Sequence, residues 1–167
     1  MSSKNQDHLP IYGVGPIYVL GIAALTAAAF FCRNLPALAG GKLDGARVPL
    51  TIIGIILIAL GIFIWIQGAV VSKLDDHIEQ NQLVTTGIYA WVRNPIYSAF
   101  MIICTGVILI IGNAWFFILP VIFWLFMTIL MKNTEEKWLL KTYGKEYEDY
   151  CKRVNRCIPW PPSQKGK

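Results

Sequence analysis

The segment from Gln82 to Ser98 carries the side chains of this sequence that are best suited to chemistry. It reads QLVTTGIYAWVRNPIYS and lies between two apolar runs. Asn is a favoured N-cap and Pro a favoured first helical residue, so Asn94-Pro95 predicts the start of a helix. The free N–H groups of that start, beside Arg93, could bind a carboxylate or a phosphate. Without that helix start, Arg93 would be interpreted as a membrane anchor whose guanidinium reaches the headgroups.

Two adjacent acids, Glu135 and Glu136, form the second polar feature. They are predicted in the first turn of a helix, where acids complement the helix dipole. One of them could hold a cationic or hydroxyl-bearing ligand, or both could be solvated beside neighbouring lysines. Tyr89 and Tyr97 could pack against an adenine or a sulfonium, or they could belong to an interfacial aromatic belt.

The elements that position these residues are predicted to be membrane helices. The chain is 55% apolar and only 15% charged, whereas soluble chains are about one quarter charged. The apolar runs are Ile11–Cys32, Val48–Ser72, Ile96–Ile111 and Ala114–Met131. The first two are long enough to cross about 30 Å of hydrocarbon. The third is short for a full span, and the fourth is expected to kink at Pro120.

The two shorter runs should form a hairpin. Gly112-Asn113 predicts a tight turn between them, which returns the chain to its starting side and places Arg93 and Glu135 at the same interface. A tail helix should end at Gly144. A second, amphipathic helix over Lys145–Asn155 should lie on the membrane surface or against the 82–98 segment.

The predicted fold class is therefore an all-α integral membrane protein with four or five transmembrane helices and no Rossmann fold. Residues 1–81 form a two-span region, 82–160 a C-terminal catalytic region, and 161–167 a disordered tail. From Lys132 onward nine Lys or Arg stand against five acids, a net charge of +4, which predicts a cytoplasmic C-terminus. The basic loop Arg33–Arg47 opposes this topology with four spans, and a fifth span would resolve the conflict.

Several other site classes find little support. His77 stands alone and favours a solvated or helix-capping role, and the four cysteines lack the spacing of a zinc site or a disulfide framework. Gly13-Val-Gly15 follows no strand and lacks the third glycine of a nucleotide loop. No separate soluble domain is present to bind nucleic acid, and the polar N-terminus predicts no cleaved signal peptide.

The polar pieces together resemble a known family. They are Leu83–Tyr89, Arg93–Tyr97, and Glu135-Glu136 followed by Leu139, Tyr143-Gly144, Tyr147, Tyr150 and Arg156–Pro159. In this order and spacing they are similar to the C-terminal catalytic region of isoprenylcysteine carboxyl methyltransferases. The resemblance covers about Gln82 to Pro159, and the short chain suggests a prokaryotic or archaeal member.

The resemblance implies a membrane methyltransferase that uses S-adenosylmethionine without a Rossmann fold, which agrees with the lack of a glycine-rich strand–helix fingerprint. By matching position, the residues expected around the cofactor are Gln82, Leu83, Val84, Tyr89, Asn94, Pro95, Tyr97 and Glu135. The expected catalytic residues are Arg93, Glu136 and Lys132, and no metal is expected. The implied acceptor is the carboxylate of a C-terminal S-prenyl cysteine, whose lipid enters from the bilayer.

Two positions depart from the family pattern. Asn94 stands where the family usually has His, so a role that needs a protonated ring is not available. Met131 stands where eukaryotic members have an Arg that holds the substrate carboxylate, and Lys132 or Arg93 could replace it. A carboxylate is already ionised at neutral pH, so its methylation needs no general base. An amine acceptor would have to lose a proton.

Other functions remain open at this level. A related methyltransferase could act on a phospholipid amine. A membrane reductase of the sterol-reductase type could use NADPH, since such C-termini carry a similar Arg-x-Pro-x-Tyr stretch. The chain could also be a non-catalytic membrane protein. The expected location is the cell membrane or the endoplasmic reticulum, and the sequence does not define an oligomeric state.

Overall fold

The computed structural model describes residues 14–72 and 82–162 of the chain, and this part is helical without a β-sheet. Its α-helices are α1 Gly15–Cys32, α2 Arg47–Trp65, α3 Pro95–Ile111, α4 Leu119–Asn133, α5 Glu135–Tyr143 and α6 Lys145–Arg153. The predicted all-α fold is confirmed. His77, the polar residues around it, the first residues of the first predicted span, Gly13 and positions 163–167 lie outside the described residues.

The described helices are those of an integral membrane protein. Three segments are long and apolar enough to cross a bilayer, namely Gly15–Cys32, Asp44–Val71 and Ala114–Tyr143. Helix α3 has 17 residues and a length of about 25 Å, so it is as short as the sequence predicts. Residues 14–72 and 82–162 contain no fifth apolar helix that would support the five-span alternative.

Helix α3 lies at the centre and packs against α1, α2 and α4. Its seam with α2 depends on glycines at which the two backbones approach. A Cβ on Gly54 would lie 2.6 Å from the Gly106 carbonyl oxygen, and a Cβ on Gly61 would lie 2.9 Å from that of Ala99. Gly54 and Gly61 therefore form a packing face on α2, and its partner is α3.

The main core fills the space between α1, α3 and α4. Its fully buried members include Tyr18, Ile22, Ile108, Phe123 and Met127. Apolar side chains of α2 and the outer faces of α1 and α4 remain exposed in the isolated chain, which suits contact with lipid. The core therefore fixes α1, α3 and α4 as one unit, and the ends of these helices position the polar segments.

Three local features differ from expectation. Pro120 lies in the first turn of α4, after a 3-10 turn over Ala114–Ile118, so the expected kink is wrong. Proline is tolerated there because the N–H groups of the first helical residues have no intrahelical acceptor, so the missing N–H of proline costs no hydrogen bond. Helix α2 continues as a π-helix over Ile66–Val71. Helix α6 ends at Arg153, before the predicted Asn155, because the Asn155 carbonyl accepts a hydrogen bond from Arg93 N.

Candidate active site at the end of the helix bundle

The start of α3 and the start of α5 meet, as the hairpin prediction requires, and Glu136 lies between two arginines. The Arg93 Nη2 atom is 3.0 Å from Glu136 Oε1. Arg156 donates from Nε to Oε1 at 2.6 Å and from Nη2 to Oε2 at 2.8 Å. Side-chain exposure is 7% for Arg93, 13% for Glu136 and 25% for Arg156. This buried triad has a formal charge of +1.

Arg93 is the most enclosed member of the triad. Its Nη1 donates to the Cys151 sulfur, and its guanidinium carbon lies 5.9 Å from the centre of the Tyr147 ring, within cation–π range. Its Nε and the nearby Ser98 Oγ are buried without a hydrogen-bond partner among the described residues. Arg93 is therefore a buried structural cation, and the interpretation as a headgroup anchor does not fit its burial.

Glu135 points to different partners. Its Oε1 accepts hydrogen bonds from Tyr97 Oη at 2.9 Å and from the Val14 backbone N–H at 3.2 Å. Oε2 receives no hydrogen bond from a described residue. Gly15 permits this approach, because a Cβ there would lie 2.5 Å from Tyr97 Oη. The start of α1, the first turn of α3 and the first turn of α5 thus meet at one carboxylate that retains an acceptor atom.

Besides the Arg93–Cys151 contact, four further hydrogen bonds attach the 82–98 segment to the tail. They are Tyr150 Oη to Tyr89 O at 2.6 Å, Arg93 N to Asn155 O at 2.8 Å, Trp160 N to Trp91 O at 3.0 Å, and Asn94 Nδ2 to Arg156 O at 3.1 Å. Asn94 stands at the N-cap position of α3, but its side chain makes no capping hydrogen bond. The predicted helix start is confirmed, whereas the expected cap is wrong because the amide is used to hold the tail.

The expected cofactor residues occupy different environments. Gln82 is exposed and Val84 is buried, while Leu83 packs on the Tyr147–Tyr150–Val154 cluster together with Leu139. Within the described residues, the backbone N–H groups of 83–85 make no backbone hydrogen bond. Leu83 places this segment beside the buried aromatic cluster.

Two further members of the expected set contact the π-helical end of α2. A Cβ on Gly68 would lie 3.1 Å from the Pro95 ring, and Tyr89 Oη lies 3.5 Å from the Gly68 carbonyl oxygen. Tyr89 is 7% exposed. Because the π-helix Ile66–Val71 packs here, α2 forms part of the wall of this region. The sequence predicted only a continuing helix.

Lys132 stands apart from this cluster. It is exposed near the end of α4, and it forms no ion pair or hydrogen bond with a described residue. Its neighbour Met131 is fully buried in the main core. The position at which the resemblance implies an arginine in eukaryotic members is therefore apolar here, and the cationic groups near Glu136 come from Arg93 and Arg156.

The electrostatics of the tail follow from burial and from Glu136. The hydrogen bonds to Glu136 raise the pKa of the Arg156 guanidinium. Burial raises the pKa of the phenols of Tyr147 and Tyr150 above the ordinary value of 10.0, although nearby Arg93 partly opposes it. Both phenols are therefore neutral at physiological pH. The largely buried charged groups that contact one another here are those of Arg93, Glu136 and Arg156, whereas the Lys152 pairs with Glu148 and Asp149 are exposed.

Sequence reasoning gave no role to several residues of this cluster. Arg156 belonged to a matched motif but received no function, and the Val14 N–H and the Cys151 sulfur were not considered. Arg156 is 25% exposed and precedes the buried Cys157, and a largely buried arginine is costly unless an acid pairs with it. Nothing in the sequence indicated that the start of α1 reaches Glu135.

Curated relatives match about half of the chain. The chain is 39% identical over 98 residues to "Protein-S-isoprenylcysteine O-methyltransferase" of Schizosaccharomyces pombe, which covers 56% of this chain and 38% of that protein. The protein of the same name from Dictyostelium discoideum is 38% identical over 95 residues, with 53% and 35% covered. That from Saccharomyces cerevisiae is 32% identical, with 53% and 36% covered. The resemblance seen in the motifs is confirmed.

The chain thus spans between one third and two fifths of the length of these relatives. No solved structure matches it. Residues 49–146 match the family model described as phospholipid methyltransferase. The match includes α2, α3, α4, the 82–98 segment and both glutamates, and it is 98 of the 167 residues. The chain therefore belongs to the phospholipid methyltransferase family.

Proposed function

We propose that this chain transfers a methyl group from S-adenosylmethionine to the C-terminal carboxylate of an S-prenylated cysteine at the membrane surface. The observation that carries the proposal is the buried meeting of Glu135, Tyr97 and the Arg93–Glu136–Arg156 triad at one end of an apolar helix bundle. The names of the curated relatives supply the reaction and the acceptor class.

The polar groups present suit the cofactor. S-adenosylmethionine carries an ammonium, a carboxylate, a positive sulfur and an adenine. Glu135 Oε2, which has no described donor, suits the ammonium or the sulfonium. The N–H groups at the start of α3 suit the carboxylate, because the Asn94 side chain leaves them uncapped. The segment 82–85 and Tyr89 would border the adenine.

The acceptor carboxylate needs positive potential without a proton donor. The triad supplies a net charge of +1, and Arg156 is its most exposed arginine. We infer that Arg156 and Arg93 together orient the carboxylate, while the exposed Lys132 guides it from solvent. The prenyl chain would lie against the apolar helices, as the exposed apolar faces allow.

The chemistry requires orientation more than acid–base assistance. When bound, S-adenosylmethionine supplies a methyl group on a cationic sulfur, which is a good leaving group. A carboxylate oxygen forms the new O–CH₃ bond as the S–CH₃ bond breaks, and the electron pair stays on sulfur to give S-adenosylhomocysteine. The carboxylate is ionised at neutral pH, so no base is needed. The buried groups contribute alignment and exclusion of water.

The acceptor assay tests this proposal. Purified protein in nanodiscs is incubated with tritiated S-adenosylmethionine and N-acetyl-S-farnesylcysteine, and the product is treated with base. A methyl ester releases its label as volatile methanol. The proposal predicts base-labile label that depends on the prenylated acceptor, and it is wrong if the enzyme binds S-adenosylhomocysteine but forms no such ester.

The family description favours one second candidate, methylation of a phospholipid amine. Its product would be stable to base and would extract with the lipid. An ammonium must lose a proton before it can attack, and the triad is cationic and offers no free base. Glu135 would be the residue nearest to that task. The same labelled incubation with phosphatidylethanolamine nanodiscs distinguishes the two reactions.

A further inference from the structure

A second polar site lies at the opposite end of the bundle from Glu136. A groove of about 340 Å³ opens where α1 and α3 end and α2 begins, a size within the usual range of about 300–1,000 Å³ for small-molecule sites. Its polar wall contains Arg33, Lys42 and Arg47 together with Asp44, and its apolar wall includes Val107. We propose that this groove binds the phosphate headgroup of an anionic phospholipid.

Charge supports an anionic ligand. Three cations against one acid give the wall a formal charge of +2. None of Arg33, Lys42 and Arg47 forms an ion pair with an acid in residues 14–72 or 82–162. Cations held close together without acidic partners repel one another, and a phosphate would relieve that repulsion. These are the charges that oppose the predicted topology, so lipid binding gives them a different role.

Carbonyl groups at the C-terminal ends of α1 and α3 accept hydrogen bonds from residues of this loop. Arg33 Nη1 donates to the Phe30 carbonyl at 2.5 Å, and its guanidinium stacks on the Phe30 ring at 3.7 Å. The Gly112 carbonyl accepts from Leu43 N at 2.9 Å. Helix α2 begins at Arg47 without a side-chain cap, so its positive dipole end faces this region. The contacts at the two C-termini and the start of α2 therefore offset part of the negative potential of the helix ends.

Hydrogen bonds of the loop and of Asn113 hold the floor of the groove in place. Lys42 forms an isolated bridge with Asn113, whose side chain is buried and donates from Nδ2 to Leu38 O at 2.9 Å. Asn113 Oδ1 accepts from Trp115 N at 3.1 Å. The loop is thereby fixed to the α3–α4 turn, and a preformed site costs less ordering on binding.

The position of the groove favours a lipid over free phosphate. It lies where the candidate spans Gly15–Cys32 and Asp44–Val71 reach a membrane boundary, and Phe30, Val107 and Ile110 line its other side. A free phosphate would use only the cations. A phospholipid would also cover these apolar side chains with its acyl chains, as juxtamembrane basic groups commonly do with anionic lipids.

The test measures lipid retention by native mass spectrometry of detergent-purified protein titrated with phosphatidylglycerol or phosphatidylcholine. The variant is Arg33→Gln/Lys42→Gln/Arg47→Gln. The matched control is Lys137→Gln/Lys141→Gln/Lys145→Gln, which removes the same charge from exposed lysines at the other end. We expect wild type and control to prefer phosphatidylglycerol, and the groove variant to bind it on the order of 10- to 100-fold more weakly.

Three results would overturn the proposal: no preference for phosphatidylglycerol in wild type, equal loss in groove variant and control, or complete displacement by millimolar inorganic phosphate. If the triple variant does not fold, lipid binding is measured on the single Arg47→Gln variant. This exposed side chain makes no hydrogen bond to a described residue, so its replacement should leave the fold intact. Arg33→Lys/Arg47→Lys keeps the charge and should keep most of the lipid binding.

Discussion

Arg156 and Glu136 form a bidentate ion pair, with Nε 2.6 Å from Oε1 and Nη2 2.8 Å from Oε2. The pair connects the first turn of α5 to the extended tail after α6, and Arg93 joins it from the start of α3. Three segments that are distant in sequence therefore depend on one carboxylate. The position of the tail over the 82–98 segment follows from this pair.

Glu136→Gln should destabilise the protein by about 3–5 kcal/mol, because it leaves two largely buried arginines without their shared acid. The melting temperature in detergent measures the effect. The control is Glu146→Gln, an exposed acid in the first turn of α6, which should change little. The loss of stability in an Arg156→Gln/Glu136→Gln double variant should be smaller than the sum of the losses in the two single variants. Strict additivity would show that the pair is not coupled.

Glu135→Gln should weaken binding of S-adenosylhomocysteine at least about tenfold, the effect of removing a charge-assisted hydrogen bond. Isothermal calorimetry measures it. Tyr97→Phe removes the phenol that donates to Glu135 at 2.9 Å and should cause a smaller loss. If Glu135→Gln binds S-adenosylhomocysteine as tightly as wild type does, Glu135 does not contact the cofactor, whatever the methyl acceptor is.

Gly54→Ala should separate α2 from α3, because its Cβ would lie 2.6 Å from the backbone oxygen of Gly106, which cannot move aside. Overpacking of this kind costs about 1–3 kcal/mol. Gly40→Ala is the control, since a Cβ there meets nothing within 4 Å. The measurement is the melting temperature, which should be lower for Gly54→Ala than for Gly40→Ala. Equal melting temperatures would contradict the close backbone contact between α2 and α3.

Cys157 gives a pH-dependent prediction. Its side chain is 1% exposed, and burial raises the pKa of its thiol above the ordinary value of 9.0. Ionisation is then disfavoured only in the folded state, so the contribution of this thiol to stability is complete below pH 9.0 and is lost as pH rises through the folded-state pKa.

Wild type should therefore lose more stability between pH 9 and 10 than Cys157→Ser, which cannot titrate there. Thermal melting at the two pH values measures the difference. Alkylation of Cys157 by iodoacetamide at pH 8 should also be at least about tenfold slower in folded than in detergent-unfolded protein. Parallel pH profiles for wild type and Cys157→Ser would contradict the assignment.

The membrane helices and the meeting of Arg93 with the Glu135–Glu136 pair were predictable from sequence. Apolar run length is a strong signal, and the Gly112-Asn113 turn, with Gly112 at φ +64°, fixes the direction of the hairpin. The Asn94-Pro95 start of α3 followed from the same local rules. These features depend on residues close in sequence.

The partners of each side chain were not predictable in the same way. The amide of Asn94 could cap α3 or hold the tail, and tertiary contact with Arg156 O decides between them. Glu135 and Glu136 have different partners because the start of α1 packs against Glu135 and the tail packs against Glu136. The π-helix at Ile66–Val71 has no strong local signature, since its packing against Pro95 selects it.

The most direct measurement of the central claim is a competition in one vesicle. Tritiated S-adenosylmethionine is offered to the protein in membranes that contain both a farnesylated cysteine peptide and phosphatidylethanolamine, and the base-labile label is separated from the base-stable label. Carboxyl methylation predicts that most label is released as methanol, and that Glu135→Gln strongly reduces the release. Label that stays with the lipid after base treatment would contradict it.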